Sequence, residues 1–522
     1  MRALLAVLGV FFAAMLVFFP KWTVDDAYIT FRYAHNLASH GELTWNIGQS
    51  PIEGYTGVLL PAALAGLESL GLNPPLSSEV IGVLCFALCG IWLYLICRHF
   101  GVKPGLTLTV VAVFVSAPFL WTNALSGLET LLFAWLVLAG MYGMVRWMST
   151  DSPTAYSTSV VLCTLLACGL ARPEGVILGG LGLFVMFLIA RRRQSAGRFT
   201  LVAALAYLLP ASAYFIWRWQ YYGLLLPNTF YAKMHGLAAE RNLLAFLPFV
   251  AVAWAIPLSA AVVAVKAGRV PIVQRIRDAM CTSNGRSLIA AGCIGFIFTI
   301  AVAIQYSQAS LVMNFSHRYM APFYGLGLIG IAVVIDWGME GLRQSQPGTS
   351  SRPKTALYVL AGLLVCQFGI HVVGFPSEIA FVRRYHKMLQ DEHIAVGKYL
   401  AATVPPQTRL IVMYDAGAIP YFSGLPTVDF GLLNDPYLTR RGLTVADQID
   451  YFYSHRAGAV VMRTRDTLGV ELDSLQRLIT QDVRFGDYTL EKVFTSRVAP
   501  TYSQALFIHR DLRDGRGTLS SN

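Results

Sequence analysis

Apolar runs close to the length of a bilayer, separated by short basic segments, constrain this chain more than any other feature. After Ala3–Phe19 they recur at 79–97, 105–121, 127–147, 156–171, 174–190, 199–217, 244–265, 287–305, 320–338 and 355–373. A helix needs about 20 apolar residues to cross the hydrocarbon, so the pattern reads as eleven spans. Composition agrees: 55% of the 522 residues are hydrophobic and only 13% are charged, against about a quarter charged in soluble domains. A string of soluble domains, a disordered chain and a small secreted scaffold are excluded. Ala3–Phe19 follows Arg2, and no small-x-small cleavage site precedes Lys21–Asp26. It reads as a retained first span rather than a signal peptide.

Basic residues between spans report orientation. Arg98–Lys103, Arg191–Arg198, Lys266–Arg277 and Arg343–Lys354 all fall on the cytoplasmic side if Gly57–Leu72, which carries Pro61 and Glu68, is a helix lying at the outer interface. The N-terminus is then cytoplasmic and the C-terminus exterior. Of the net charge of +11, the part from Pro376 onward contributes almost nothing, with 17 Lys and Arg against 16 Asp and Glu. The excess sits between membrane segments, so it marks topology and not a nucleic-acid surface. The eight cysteines all lie in or beside apolar runs without a CxxC pair, so neither zinc nor a disulfide framework is implied.

From about Pro376 to Asn522 the runs shorten and charge rises. Helix-like and strand-like stretches alternate at Ser377–Ala402, Arg409–Tyr414, Val445–His455, Ala457–Arg463, Leu472–Asp482 and Ser503–His509. The reading is a membrane module over 1–375 and a small exported α/β domain over 376–522.

Candidate chemistry gathers on the exterior side. Span one leads into Asp25-Asp26-Ala-Tyr-Ile-Thr-Phe-Arg32-Tyr33. Two adjacent carboxylates are costly to keep ionised without a proton, a cation or a basic neighbour. Asp26 suits a helix N-cap; capping leaves Asp25 unexplained. Tyr221 to Lys233, Asn314 to Tyr319, and Arg172-Pro-Glu174-Gly place cations and aromatics on the same side. An interfacial aromatic belt and a local ion pair account for each singly. Cations where the positive-inside bias disfavours them also suit an anionic lipid headgroup, held by Lys233, His317 and Arg318. No GxxxxGK[ST] loop, no GxGxxG after a strand and no HExxH is present, so an activated substrate must bring its own leaving group.

Asp25-Asp-Ala-Tyr-Ile-Thr-Phe-Arg-Tyr-Ala-His-Asn-Leu, Leu43-Thr-Trp-Asn, Pro51-Ile-Glu53-Gly-Tyr55-Thr, Ser126-Gly-Leu-Glu129-Thr, Ala171-Arg-Pro-Glu-Gly175, Leu226-Pro-Asn-Thr-Phe-Tyr-Ala-Lys233, Arg318-Tyr-Met-Ala-Pro322 and Asp415-Ala-Gly-Ala-Ile-Pro-Tyr-Phe-Ser-Gly424 together resemble the GT-C superfamily of membrane glycosyltransferases. Within it the chain is most similar to bacterial arabinofuranosyltransferases and other polyprenyl-phosphate-sugar transferases. The resemblance implies a GT-C fold of about eleven spans in a bacterial inner membrane. It also implies inverting transfer of a sugar, arabinofuranose first, from polyprenyl phosphate to a hydroxyl of a glycan, lipid or protein. Asp25 would be the general base, and Asp26 would position the acceptor or ligate a divalent cation (Mg, Mn or Ca). Lys233, Arg318, His317 and Arg172 would bind the donor phosphate. Arg32, Glu53, Tyr55, Asn228, Tyr231, Asp415 and Tyr421 would line the substrate site. Mannose, aminoarabinose and a non-catalytic polyprenyl-lipid transporter stay open as alternatives, though nearly charge-free spans favour an interfacial enzyme.

The topology is directly testable. A reporter fused after Gly341 should be cytoplasmic and one fused after Gly374 exterior; opposite readings at both would overturn the span count.

Overall fold

The computed structural model describes residues 2–233, 254–267, 272–309, 311, 313–344, 352–440, 442–466, 468–469 and 472–513. Helices come first: α1 (Arg2–Phe18), α2 (Asp25–His40), α3 (Leu59–Ser69), α4 (Pro74–His99), α5 (Pro104–Val115), α6 (Pro118–Leu125), α7 (Thr130–Ser149), α8 (Ala155–Ala171) and α9 (Gly175–Arg192). Ala196–Tyr222, Trp254–Ala267, Ser283–Ser307, Ala321–Gln344 and Tyr358–Thr403 follow. Among the described residues seven helices are long and apolar enough to cross a bilayer, and the bent pair α5–α6 makes an eighth. The other three expected spans fall on apolar helices below that length, α1, α8 and Trp254–Ala267, with part of 244–265 outside the described residues. The segment read as interfacial becomes α3, whose 11 residues are too short to cross. The chain is a multi-pass membrane protein.

α5 and α6 meet at 57° for a local reason. Pro118 opens α6 and pushes Ala117 into an extended conformation (ψ 114°), which ends α5 at Val115. Every residue of α6 is buried, and the turn after it carries Ser126 and Glu129 up to the end of the bundle. At the opposite end His99 meets Ser149 at 3.2 Å and Lys103 reaches Glu340 at 2.8 Å. His99 and Lys103, from the first basic cluster, therefore lie at the other end of α4 and α5 from Ser126 and Glu129.

The last long helix, Tyr358–Thr403, has 46 residues, over twice what a bilayer needs. It runs straight through Pro376, so the composition change there is not a break in the chain's path. Its final turns pass a π-helical turn at Gln390–Ile394 and deliver the chain to a five-stranded sheet. The strands are β1 (Leu410–Val412), β2 (Thr427–Asp429), β3 (Ala459–Thr464), β4 (Tyr488–Thr495) and β5 (Ser503–His509), in the order β2-β1-β3-β5-β4. β2, β1 and β3 are parallel; β5 runs antiparallel to β3, and β4 antiparallel to β5. Alternate residues of β1, β3 and β5 fill two apolar clusters, with Ile411, Val460 and Phe507 on one side and Val412, Val461 and Leu506 on the other. Both faces are thus covered, as parallel strands require.

The sheet domain is tied to α2 by a buried guanidinium. Arg32 donates to the carbonyls of Trp45, Pro420 and Leu425 at 2.8, 2.6 and 2.8 Å and to Asn46 Oδ1 at 3.0 Å, and it lies 4.6 Å over the Trp45 ring. It is a strut, not the substrate-binding residue expected from its motif. A charge buried this deeply persists only when it is well hydrogen-bonded, and here every guanidinium nitrogen donates at least once.

Candidate active site

Where α2 meets the sheet domain there is a cavity of about 440 Å³, lined among others by Asp25, Asp26, Tyr55, Glu129, Lys233, Arg318, Tyr319, His393, Tyr414, Asp415, Arg463 and Tyr502. The acidic pair forms the first turn of α2. Val24 occupies the N-cap position without any side-chain cap bond, so Asp26 does not cap the helix as the sequence suggested. The helix starts two residues earlier than that cap would place it, and both aspartates line the cavity.

The two aspartates sit in opposite electrostatic states. Asp25 Oδ1 accepts from Ala418 N at 2.8 Å and His393 Nδ1 at 2.9 Å, and Oδ2 from Gly417 N at 3.0 Å. Burial alone would raise its pKa, but the His393 charge and these bonds hold it below the usual carboxylate range. Asp26 accepts no hydrogen bond from the described residues, and burial pushes its pKa up to about 6 against the pull of Arg318. One carboxylate is a fixed anion, and the other can take a proton near neutrality.

His393 comes from the π-helical turn, a kind of irregularity common at functional sites. Burial opposes its charge, but Asp25 and then Asp415 raise its pKa to about 9. Asp415 is in turn held by Tyr502 Oη at 2.6 Å and Gln504 Nε2 at 2.8 Å. Asp25, His393 and Asp415 are the described residues whose donor atoms cluster within 4.8 Å, so they are where a divalent cation would be sought. They do not fit one as arranged. Nδ1 of His393 carries the proton it donates to Asp25, the raised pKa of His393 keeps a positive charge where the ion would stand, and Asp25 already accepts three hydrogen bonds. Asp26, the ligand expected from the sequence, lies outside the cluster.

Across the cavity three cations surround one ring. Lys233 Nζ, Arg318 Cζ and Arg172 Cζ lie 5.6, 5.5 and 5.5 Å from the Tyr319 ring centre. Glu129 Oε1 stands 3.4 Å from Arg318 and 3.7 Å from Arg172, and Glu174 Oε1 is 3.4 Å from Arg172. Three cations thus face two carboxylates, before Asp26 is counted. Nε of Arg318 and both Nε and Nη1 of Arg172 are buried without a hydrogen-bond acceptor. Lys233 makes no ion pair with any described residue. Buried donors of this kind call for an anion.

The cavity gathers Asp25, Asp26, Tyr55, Lys233, Arg318 and Asp415 from the sequence-predicted residues. Arg172 lines an adjoining cavity of about 220 Å³ that shares Lys233 and Tyr319. The other expected residues are placed elsewhere. His317 turns its ring edge-on to Phe119 at 6.1 Å. Glu53 pairs with Arg218 at 2.7 Å. Asn228 donates to the carbonyls of Leu432 and Leu433 at 2.9 and 3.0 Å, and Tyr421 packs on Tyr28 and Phe422. Tyr231 does not line either cavity. Sequence reasoning missed His393, Arg463, Tyr414 and Tyr502 as site residues; only the π turn and the strand ends bring them in.

Solved structures with this architecture include ArnT from Cupriavidus metallidurans bound to undecaprenyl phosphate, with a TM-score of 0.57, 13% identity and 97% of each chain covered. The arabinofuranosyltransferase AftD from Mycobacteria gives 0.54 and 13%, covering 97% of this chain and 40% of that one. The oligosaccharyltransferase of Archaeoglobus fulgidus gives 0.52 and 12%, covering 88% and 69%. The fold is that of the GT-C membrane glycosyltransferases. In sequence, the chain is 30% identical over 228 residues to the terminal beta-(1->2)-arabinofuranosyltransferase of Mycobacterium tuberculosis, over 41% of this chain. It spans about a third (35%) of that relative's length. A family model described as a domain of unknown function (DUF8728) matches residues 379–508.

The Asp25 seat predicts a sharp mutational effect. A Cβ on Gly417 would collide with the Asp25 backbone carbonyl and carboxylate. Gly417→Ala should displace the loop and cost roughly 2 kcal/mol or more through lost charge-assisted bonds, read as a lowered thermal midpoint in detergent. An unchanged midpoint would mean the loop seats Asp25 by other contacts.

Proposed function

We propose that this protein transfers a sugar from a polyprenyl phosphate to an acceptor hydroxyl at the exterior membrane face, with inversion at the anomeric carbon. The observation that carries the reading is the single cavity with a cation cluster on one wall and an acidic pair on the other. Lys233, Arg318 and Arg172 supply donors to a leaving phosphate, which explains why so many of them lack acceptors among the described residues. An acceptor hydroxyl needs a base at the moment of attack. Its oxygen forms the new bond to the anomeric carbon while the bond from that carbon to the phosphate oxygen breaks. The hydroxyl proton passes to a carboxylate, and polyprenyl phosphate leaves as the anion the cations hold. No nucleotide is consumed, in keeping with the missing phosphate-loop motifs.

The sequence places the base at Asp25, whereas the site geometry favours Asp26. A base is most effective with a pKa near the working pH, and Asp26 has both the raised pKa of about 6 and a carboxylate that accepts no hydrogen bond from the described residues. Asp25, kept ionised and oriented by three donors, would instead orient the acceptor and stabilise charge. The undecaprenyl phosphate in the similarly folded ArnT structure supports the donor class. The Mycobacterium tuberculosis relative supports arabinofuranose as the sugar. The distribution of basic clusters supports a cytoplasmic N-terminus and an exterior sheet domain, and the resemblance to bacterial transferases supports an inner membrane.

Two measurements test the assignment. Lys233→Ala should lower kcat/KM for a polyprenyl-phospho-arabinofuranose donor by about 100-fold, the usual cost of removing one charge-stabilising donor; a change confined to acceptor KM would remove Lys233 from the phosphate site. The pH profile separates the aspartates. If Asp26 is the base, kcat/KM falls as pH drops through about 6, because the protonated form cannot accept the acceptor's proton. An acid limb below the ordinary carboxylate range would return the base to Asp25.

A further inference from the structure

Three parallel strands point their carboxyl ends at the cavity. Gly431 and Leu433 follow β2, Tyr414 and Asp415 follow β1, and Arg463 stands near the end of β3; all five line the cavity. In parallel sheets the crevice beyond the strand carboxyl ends is the usual ligand site. The sheet domain therefore contributes a wall that neither the acidic pair nor the cation cluster accounts for.

That wall has an unusual local build. Tyr414 has φ +82°, a genuine outlier for a bulky residue, and such strain is kept where surrounding structure enforces it, often at binding sites. Despite this its side chain is 39% exposed at the cavity rim, where Asp473 stands beside its phenol. Arg463 lies between two rings, its Cζ 5.2 Å from Tyr414 and 5.6 Å from Tyr502. It has no ion pair or side-chain hydrogen bond among the described residues, so its in-plane N–H donors remain available. Next to it Asp415 is fixed by Tyr502 and Gln504, leaving lone pairs to accept from a ligand. A flat half-exposed ring, a planar set of donors and an oriented carboxylate together match one chemistry. A sugar presents a C–H face to stack and hydroxyls that both donate and accept. A lipid tail would use none of the polar groups, and a peptide would call for a strand edge or an extended groove.

We propose that Tyr414, Arg463, Tyr502 and Asp415 form a saccharide subsite that seats the terminal sugar of the acceptor, making the acceptor a glycan rather than a lipid headgroup or a protein side chain. This rests on reading the cavity as a glycosyl-transfer site. The subsite adjoins His393, whose Nε2 lies 4.0 Å from Asp415 and whose ring centre is 6.1 Å from that of Tyr502, so a sugar seated here brings its hydroxyls to the Asp25 side of the cavity.

The experiment uses the full-length protein in lipid nanodiscs with a short arabinofuranosyl oligosaccharide as probe. Binding is read first by ligand-observed NMR without donor, then acceptor and donor KM are measured for wild type, Tyr414→Ala, Arg463→Gln and Arg463→Lys. The oligosaccharide should bind wild type, and Tyr414→Ala and Arg463→Gln should weaken binding and raise acceptor KM by about tenfold or more. Donor KM should move by less than about twofold. Arg463→Lys keeps the charge but loses the planar donors, and should resemble Arg463→Gln. Unchanged oligosaccharide binding in all three variants, or binding of a peptide or phospholipid headgroup in place of the oligosaccharide, would overturn the subsite. Absence of transfer from any polyprenyl-phospho-sugar, with oligosaccharide binding still lost in the variants, would instead overturn the transferase reading and leave the subsite standing.

Discussion

The arrangement depends on one buried carboxylate. Asp25 sits on the first turn of α2, and its three hydrogen-bond donors all come from residues beyond 390: Gly417 and Ala418 from the loop after β1, and His393 from the π-helical turn. A buried carboxylate without partners would neutralise or unfold its surroundings. Held as it is, it sets the distance and angle between membrane bundle and sheet domain. Arg32, two turns along the same helix, repeats the logic with opposite charge by binding the carbonyls of Pro420 and Leu425. Opposite charges on one helix, each satisfied by the same distant segment, fix α2 against rotation and against sliding.

Fixing α2 in this way has an electrostatic consequence. Once Asp25 is saturated, the neighbouring Asp26 must face the cavity beside a like charge and with no donor of its own, which is the condition that raises a carboxylate pKa. The same packing brings Lys233, Arg318 and Arg172 around Tyr319, where two glutamates do not neutralise three cations. A low-dielectric site with an unspent positive charge on one side and a protonatable carboxylate on the other favours a reaction that ends with an anion leaving and a proton arriving. The polarity of the proposed chemistry is thus built into the packing before any substrate enters.

Much of this was legible in the sequence, and the failures have physical causes. Apolar run length located the helices, and the pattern of short strand-like stretches located β1, β3 and β5. It did not locate β2, which has three residues, or β4, which is largely exposed. Asp25, Asp26, Lys233, Arg318 and Asp415 converge because unpaired charge at a membrane edge is costly without a purpose. Arg32, Glu53 and Asn228 share those motifs and look alike in sequence, yet they satisfy buried partners outside the cavity. A buried strut and a ligand-binding group obey the same rule, that a polar group must find a partner, and sequence does not say whether the partner is protein or substrate. His393 and Arg463 carried no spacing signal at all. One depends on a single π-helical turn and the other on which way a parallel strand ends.

The division into a membrane module and a C-terminal sheet domain consequently describes composition better than mechanism. Removing the residues after 376 would strip Asp25 of all three donors to its carboxylate and Arg32 of two of its four acceptors. Loss of activity in a truncated chain would therefore report a displaced α2 and not the loss of an accessory. The sheet domain is better understood through single side chains that leave the Asp25 seat intact. Tyr414 and Arg463 meet that condition, since neither bonds to α2, whereas Gly417 and His393 do not. Any separation of the domain's structural role from its contact with substrate has to pass through those two residues.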